Sequence, residues 1–407
     1  MRILITTVQH YEDAPSGSSA IAHHEAKWLA GQGHEVWVLG AKLNEASAEY
    51  EVREGRHLLR YSYRRYPKWN PRRALAHQDG AERLLRRYLA GVDAVHGHIP
   101  LTTLAAQKLY GRAARTGYSI HSPMGMEMSE VWAGRRGLRK WLTGAEIGVL
   151  NHLERRVLEG SGTITALSQY TKRCITAIHG AQIGRRIEVV PGFVDTARFQ
   201  PSGDRAGLKR ELGWPEDVPV LFTLRRLTPR MGLDRLIEAT GVLRKKGARF
   251  RLVIGGQGPL RRELEEQVQA VGAGGQVSFA GYVAEDVLPQ MYAACDAFVL
   301  PTTALECFGL IALEALASGR PVLATPVAAI PEVIRLFEPR WLAESNETGS
   351  IAALLGEFLA GHLPSHDAAE LHGKVEAEFS STMRVPQFAA VALGTRVASE
   401  RAEAESV

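Results

Sequence analysis

Cysteine is scarce in this 407-residue chain, which holds only Cys174, Cys295 and Cys307. Their odd number and wide separation exclude a disulfide framework, and none has metal-ligand spacing. Reduced structural thiols are therefore expected. The histidines offer a single adjacent pair, His23-His24, and no structural metal is expected from them. No uninterrupted apolar run is long enough to cross a bilayer. The start, Met1-Arg2-Ile3-Leu4-Ile5-Thr6-Thr7, reads as a short apolar strand without a signal-peptide core or cleavage site. A cytoplasmic location follows as the expectation. A strong excess of one charge is also missing: the net charge is only +5. That mild surplus suits an anionic substrate, an anionic membrane surface or nucleic acid without choosing among them.

What is present is an ordinary globular composition, 45% hydrophobic and 23% charged. The length predicts two domains rather than one core. In the first half, strands are expected near 2–6, 35–39, 94–96, 118–120, 163–167 and 187–190, with helical stretches between several of them. A Gly/Ser loop is expected at 16–19 and a helix over 20–32. A Pro/Gly-containing link at 191–203 interrupts the pattern, and the alternation then restarts. The second half predicts strands at 218–224, 250–254, 277–280, 297–300 and 322–324. It predicts helices at 233–246, 259–271, 285–294 and 310–318. The fold class expected is α/β, with two Rossmann-like domains, parallel sheets covered by helices. Residues 1–195 form the first domain and 196–375 the second. Residues 376–407 form a helical segment returning to the first. Open parallel sheets bind ligands beyond the carboxyl ends of their strands.

One segment carries the most chemistry: Glu306-Cys307-Phe308-Gly309-Leu310-Ile311-Ala312-Leu313-Glu314. Glu306 falls just before a helix and Glu314 two turns inside it. Gly309 and Leu310 open that helix with unpaired backbone N–H groups, a natural seat for phosphate. Carboxylates for hydroxyls beside amides for phosphates suit a nucleotide sugar. Gly319-Arg320-Pro321 follows. A second segment, Arg225-Arg226-Leu227-Thr228-Pro229-Arg230-Met231-Gly232, sits between a strand and a helix, where anions bind. Gly255-Gly256-Gln257-Gly258-Pro259 is not a dinucleotide fingerprint, because Arg261 stands where the third glycine belongs.

These segments together resemble the retaining, nucleotide-sugar-dependent glycosyltransferases of family four, with the GT-B fold of two Rossmann domains facing across a cleft. The resemblance covers nearly the whole chain. It is strongest over 218–334 and weaker over 43–90 and after 340. It implies that Glu306 faces the donor sugar and Glu314 the ribose. The N–H groups around Phe308, Gly309 and Leu310 would hold the diphosphate, stabilising the charge left on it. Family members carry Arg-Leu-x3-Lys-Gly in the second segment. Arg226 matches the arginine, but Met231 replaces the lysine, and Arg230 could supply the charge. The spacing Arg225-x4-Arg230 leaves a shifted register open. Gly256 forms the strand–helix corner beside the nucleotide, and Tyr282-Val283 lies where the base is usually contacted.

In the first domain, Gly17 stands in place of the family's Gly-Gly loop and would let backbone approach the donor phosphates. His121 corresponds to a histidine near the sugar's 6-hydroxyl, with His98 a weaker candidate. Ser168 and Lys172 match a short Ser-x3-Lys segment and read as structural or peripheral to the cleft. Ala328 and Ala329 replace both glycines of a Gly-Gly-x-x-Glu loop ending at Glu332. The alanines either narrow the donor pocket or tolerate the same backbone.

Two basic-aromatic stretches, 60–69 and 132–141, suggest peripheral contact with the inner membrane surface or an anionic lipid-linked acceptor. No nucleic-acid module accompanies them. The activity implied is transfer from a nucleotide-diphosphate sugar to the hydroxyl of a sugar, lipid-linked or small-molecule acceptor. Anomeric configuration would be retained. No Asp-x-Asp motif occurs, and neither metal nor other cofactor is expected. Two alternatives stay open: a sugar-phosphate synthase or phosphorylase on the same scaffold, and a non-catalytic nucleotide-sugar sensor.

Overall fold

The structure is a computed structural model and describes residues 1–64, 66, 72–132 and 138–395, without the side chains of 72–74, 131, 132 and 138–142. The chain divides into two compact units, Met1–Gly192 with Thr382–Val407, and Phe193–Ser381. Among the described residues no helix is long and apolar enough to cross a membrane.

The first unit is built on eight strands: β1 (Arg2–Thr6), β2 (Glu35–Ala41), β3 (Tyr50–Arg53), β4 (Arg56–Tyr61), β5 (Ala94–Gly97), β6 (Arg115–Ile120), β7 (Thr163–Ala166) and β8 (Ile187–Val189). Their order is β3-β4-β2-β1-β5-β6-β7-β8. β3 pairs antiparallel with β4, and every other pairing is parallel. Alternation along β1 explains the layers. Leu4 packs on one face with Val95, Leu59, Leu84 and Ala105. Ile3 and Ile5 pack on the other with Ala22, Ala26, Leu29, Ala389 and Ala392. Those last two alanines belong to helix Ser381–Leu393, which completes the first unit's core from the far end of the chain.

Two differences from the sequence reading have local causes. Helix Gly17–Gly31 begins at Gly17 and not after the serines, because Ser16 caps it and exchanges hydrogen bonds with Ser19 in a capping box. Strand β4, of the β3–β4 hairpin, takes in the first two residues of the basic-aromatic stretch at 60–69. Arg60 is 3% exposed and paired with Asp13 and Glu51. Tyr61 is buried beside it, and the Tyr63 ring stacks 3.6 Å from that of His77. Arg60 and Tyr61 thus face inward, and Tyr63 is half-buried against the same core. Residues 65, 67–69 and 133–137 of the two stretches lie outside the described residues.

The second unit holds five parallel strands, β9 (Val220–Leu224), β10 (Arg251–Gly255), β11 (Val277–Gly281), β12 (Ala297–Leu300) and β13 (Val322–Ala324). They run in the order β11-β10-β9-β12-β13. Phe222, Tyr292 and Phe298 pack ring on ring in its core at 5.3–5.8 Å. The order reverses between β9 and β12. At such a point the two outgoing loops diverge and leave a crevice. Cys295 and Cys307 are buried free thiols, and burial pushes that of Cys295 up to about 12.

Candidate active site

The loops leaving β9 and β12 bring the site of the second unit together. Arg225, directly after β9, is 7% exposed and donates to Glu306 Oε2 at 2.9 Å and to Thr302 Oγ1 at 2.8 Å. Arg226, one residue on, points out and is exposed. Arg225 is therefore the guanidinium that meets Glu306. Met231 is buried and brings no charge. Arg230 donates through Nη1 to the carbonyl oxygen of Leu305 at 2.5 Å, which ties the arginine loop to the backbone just before Glu306.

Glycines hold these loops against one another. A Cβ on Gly232 would lie 1.8 Å from the Pro301 carbonyl oxygen, and one on Gly256 would lie 1.9 Å from that of Arg225. Both residues have positive φ. The Gly255–Gly258 turn also accepts N–H bonds from Arg225 and Leu227, each at 3.0 Å. Gly256 thus sets the backbone height of the arginine loop. Val283 packs against Gly255, and Tyr282 is 65% exposed at the end of β11.

Glu306 lies in a strained run. Leu305 has φ 47°, and Ala328, in the loop that backs it, has φ 56°. The Ala329 N–H donates to the Glu306 carbonyl at 3.0 Å. Non-glycine residues in this region concentrate at functional sites. Gly309, φ 89°, caps helix Leu310–Ala317. Among the described residues none accepts a backbone hydrogen bond from Phe308 or Gly309 N–H. Those amides, with that of Leu310 in the first turn, make an electropositive helix start. Glu314 lies inside the helix and accepts from the Tyr292 hydroxyl at 2.8 Å. Burial pushes its carboxyl up to about 7, against the Tyr292 hydrogen bond.

In the first unit, Gly17 is exposed at the start of its capped helix. His121 follows β6 and joins a buried chain of polar groups. Its Nε2 lies 2.8 Å from His98 Nδ1, and His98 Nε2 lies 2.8 Å from Glu25 Oε2. His96 Nδ1 lies 2.5 Å from Glu25 Oε1, and His96 Nε2 lies 2.9 Å from Ser119 Oγ. Burial, then repulsion from His98 and His96, holds the His121 imidazole well below its usual value. Glu25 escapes a sequence reading of the site. Its signal is there all the same: a carboxylate on the apolar stripe Ile21-Ala22-x2-Glu25-Ala26-x2-Leu29. Glu25, His96 and His98 place ligand atoms within 4.8 Å of one another, close enough for an ion. Their separations of 2.5 and 2.8 Å are hydrogen-bond lengths, and each facing atom is already used by its partner. Ser168 caps helix Gln169–His179, its hydroxyl accepting from the Thr171 N–H.

Two family descriptions match the chain, Glycosyltransferase Family 4 over residues 15–198 and Glycosyl transferases group 1 over 204–371. A GDP-mannose-dependent α-(1-6)-phosphatidylinositol monomannoside mannosyltransferase of Mycobacterium tuberculosis is 31% identical over 228 residues. That match spans 53% of this chain and 58% of the relative. The sucrose-phosphate synthase of Thermosynechococcus elongatus superposes with a TM-score of 0.79 at 19% identity, covering 95% of this chain and 97% of that one. Anabaena HepE in complex with UDP and glucose gives 0.72 at 19%, covering 96% and 98%. With both matched segments in chain order on two parallel-sheet units, the chain belongs to the family 4 glycosyltransferases of GT-B fold.

Proposed function

We propose that this protein transfers a sugar from a nucleotide-diphosphate donor to an acceptor hydroxyl with retention of configuration. The observation that supports this best is the pairing of Glu306 with Arg225 at the switch point of the second sheet, beside the amides that open at Gly309. Glu306 is suited to hold donor hydroxyls, and the charge-assisted bond from Arg225 fixes its carboxylate in place. The helix start takes the diphosphate, on which negative charge grows as the bond to the sugar breaks. Glu314 accepts from the ribose. Retention follows from attack on the face the phosphate leaves. The bond from the anomeric carbon to phosphate oxygen breaks as the bond to the acceptor oxygen forms, and the acceptor proton passes to the departing phosphate. Arginines and amides serve as the electrophiles in this reading, which needs no divalent ion. The mannosyltransferase and the UDP complex among its relatives support a nucleotide-sugar donor, and the former a lipid-linked acceptor.

The test is a thermal-shift screen of UDP-, GDP-, ADP- and dTDP-sugars, followed by product analysis with sugar, sugar-phosphate and lipid acceptors. At least one donor should raise the melting temperature. Glu306→Gln should keep its fold and lose roughly 100-fold or more in kcat. A stabilising donor with no transfer to any acceptor would favour a sensor. Wild-type turnover in folded Glu306→Gln would remove Glu306 from the reacting centre.

A further inference from the structure

The chain Glu25–His98–His121 constrains its own protons. Glu25 is fully buried on helix Gly17–Gly31, and His98 is 4% exposed after β5. Burial would raise the Glu25 carboxyl, but the facing His96 and His98 outweigh it and hold it below its ordinary value. Glu25 is thus a carboxylate that only accepts. His98 Nε2, 2.8 Å from Oε2, must carry a proton and donate. Burial and then the neighbouring His96 lower the His98 imidazole, although Glu25 acts the other way. A neutral His98 donating from Nε2 has a bare Nδ1. That nitrogen accepts, so the proton between His98 and His121 belongs to His121 Nε2, 2.8 Å away. His121, neutral as well, then has no proton on Nδ1. Among the described residues none bonds that nitrogen, and the His121 side chain is only part-buried. The His96–Ser119–Thr165 branch leaves this assignment unchanged, because it meets the chain only at the other oxygen of Glu25.

We propose that Glu25 is a positioning residue: through His98 it locks His121 as the Nε2–H tautomer, so that His121 offers the site a hydrogen-bond acceptor at Nδ1 and selects a ligand hydroxyl there. The ligand part rests on the proposed donor-sugar reading. The tautomer does not, and is measured without substrate.

The experiment is heteronuclear NMR of the full chain with isotope-labelled histidine near neutral pH, where bare and protonated ring nitrogens give well-separated signals. Wild-type His121 should show a bare Nδ1 and a protonated Nε2. His98→Gln should preserve that pattern, because its amide donates to Glu25 while its carbonyl accepts from His121. Glu25→Leu removes the acceptor that orients His98 and should leave His121 an average of both tautomers. If Glu25→Leu does not fold, His98→Leu makes the same break nearer His121. A wild-type His121 with Nδ1–H, an unaltered tautomer in the folded Leu variants, or a stoichiometric metal bound to Glu25, His96 and His98 would overturn the assignment. With a donor identified, folded Glu25→Leu should lose about tenfold in kcat/KM, the worth of one misdirected hydrogen bond. An unchanged kcat/KM beside an altered tautomer would sink only the hydroxyl-selecting role.

Discussion

The Glu314 carboxyl shows how one buried residue leaves a trace in bulk behaviour. Burial raises it to about 7, while unfolding returns it to the ordinary 4.5. A carboxyl raised in the folded state holds its proton more tightly folded than unfolded. Its contribution is fully present below about pH 4.5, falls as pH rises, and is gone above 7. The gap corresponds to about 3 kcal/mol. Chemical denaturation of the second unit at pH 5 and pH 8 should show wild type losing stability over this window. Glu314→Gln should lose much less, and equal losses in both proteins would refute the shift. The pairing of Glu306 with Arg225 was half-legible in the sequence. Spacing left both Arg225 and Arg226 open, and only the turn of the chain after β9 buries one and exposes the other. Arg56 and Arg60 were not legible. They are hidden by acids at Glu12, Asp13, Glu51 and Glu54, and no local pattern announces a buried arginine paired from a different element.

At the scale of elements, the loop at 326–330 treats its two alanines differently. Ala328 takes a left-handed conformation, φ 56°, that suits glycine, and Ala329 stays at φ −85° and is fully buried. The loop therefore keeps a glycine-type backbone with a Cβ on it. It is held because Ala329 N–H bonds the Glu306 carbonyl and Val327 N–H bonds that of Thr325. A left-handed L-residue costs on the order of 1–2 kcal/mol, part of which glycine returns in unfolded-state entropy. Ala328→Gly should stabilise the second unit by about 0.5–1 kcal/mol, read as a higher denaturant midpoint at unchanged slope. An unchanged or lower midpoint would show that the Cβ packs well enough to offset the strain. Strand–helix alternation was readable because buried parallel strands are short apolar runs. The β3–β4 hairpin was missed because its polar composition, Tyr50-Glu51-Val52-Arg53 and Arg56-His57, lacks that signal.

At the scale of the whole molecule, the first unit is made from two distant pieces of chain. Helix Ser381–Leu393 lays Ala389 and Ala392 on Ile3, Ile5 and Ala94, and Arg115 donates to the Leu393 carbonyl at 2.7 Å. The approach is close because β6 carries Gly117, where a Cβ would lie 2.6 Å from the Val391 carbonyl oxygen. A side chain there must push the helix away, since neither backbone gives by so much. Gly117→Val should cost about 1–3 kcal/mol through overpacking. The loss should be confined to one unit, because the alanines of that helix belong to the core of the first unit. Peptide-resolved hydrogen exchange separates the two units within one protein. Amides of β1, β5 and β6 should exchange faster in the variant, with those of β9 and β12 unchanged. Equal acceleration in both sheets would mean that the units unfold as one, and that the returning helix stabilises the whole chain rather than the unit it completes.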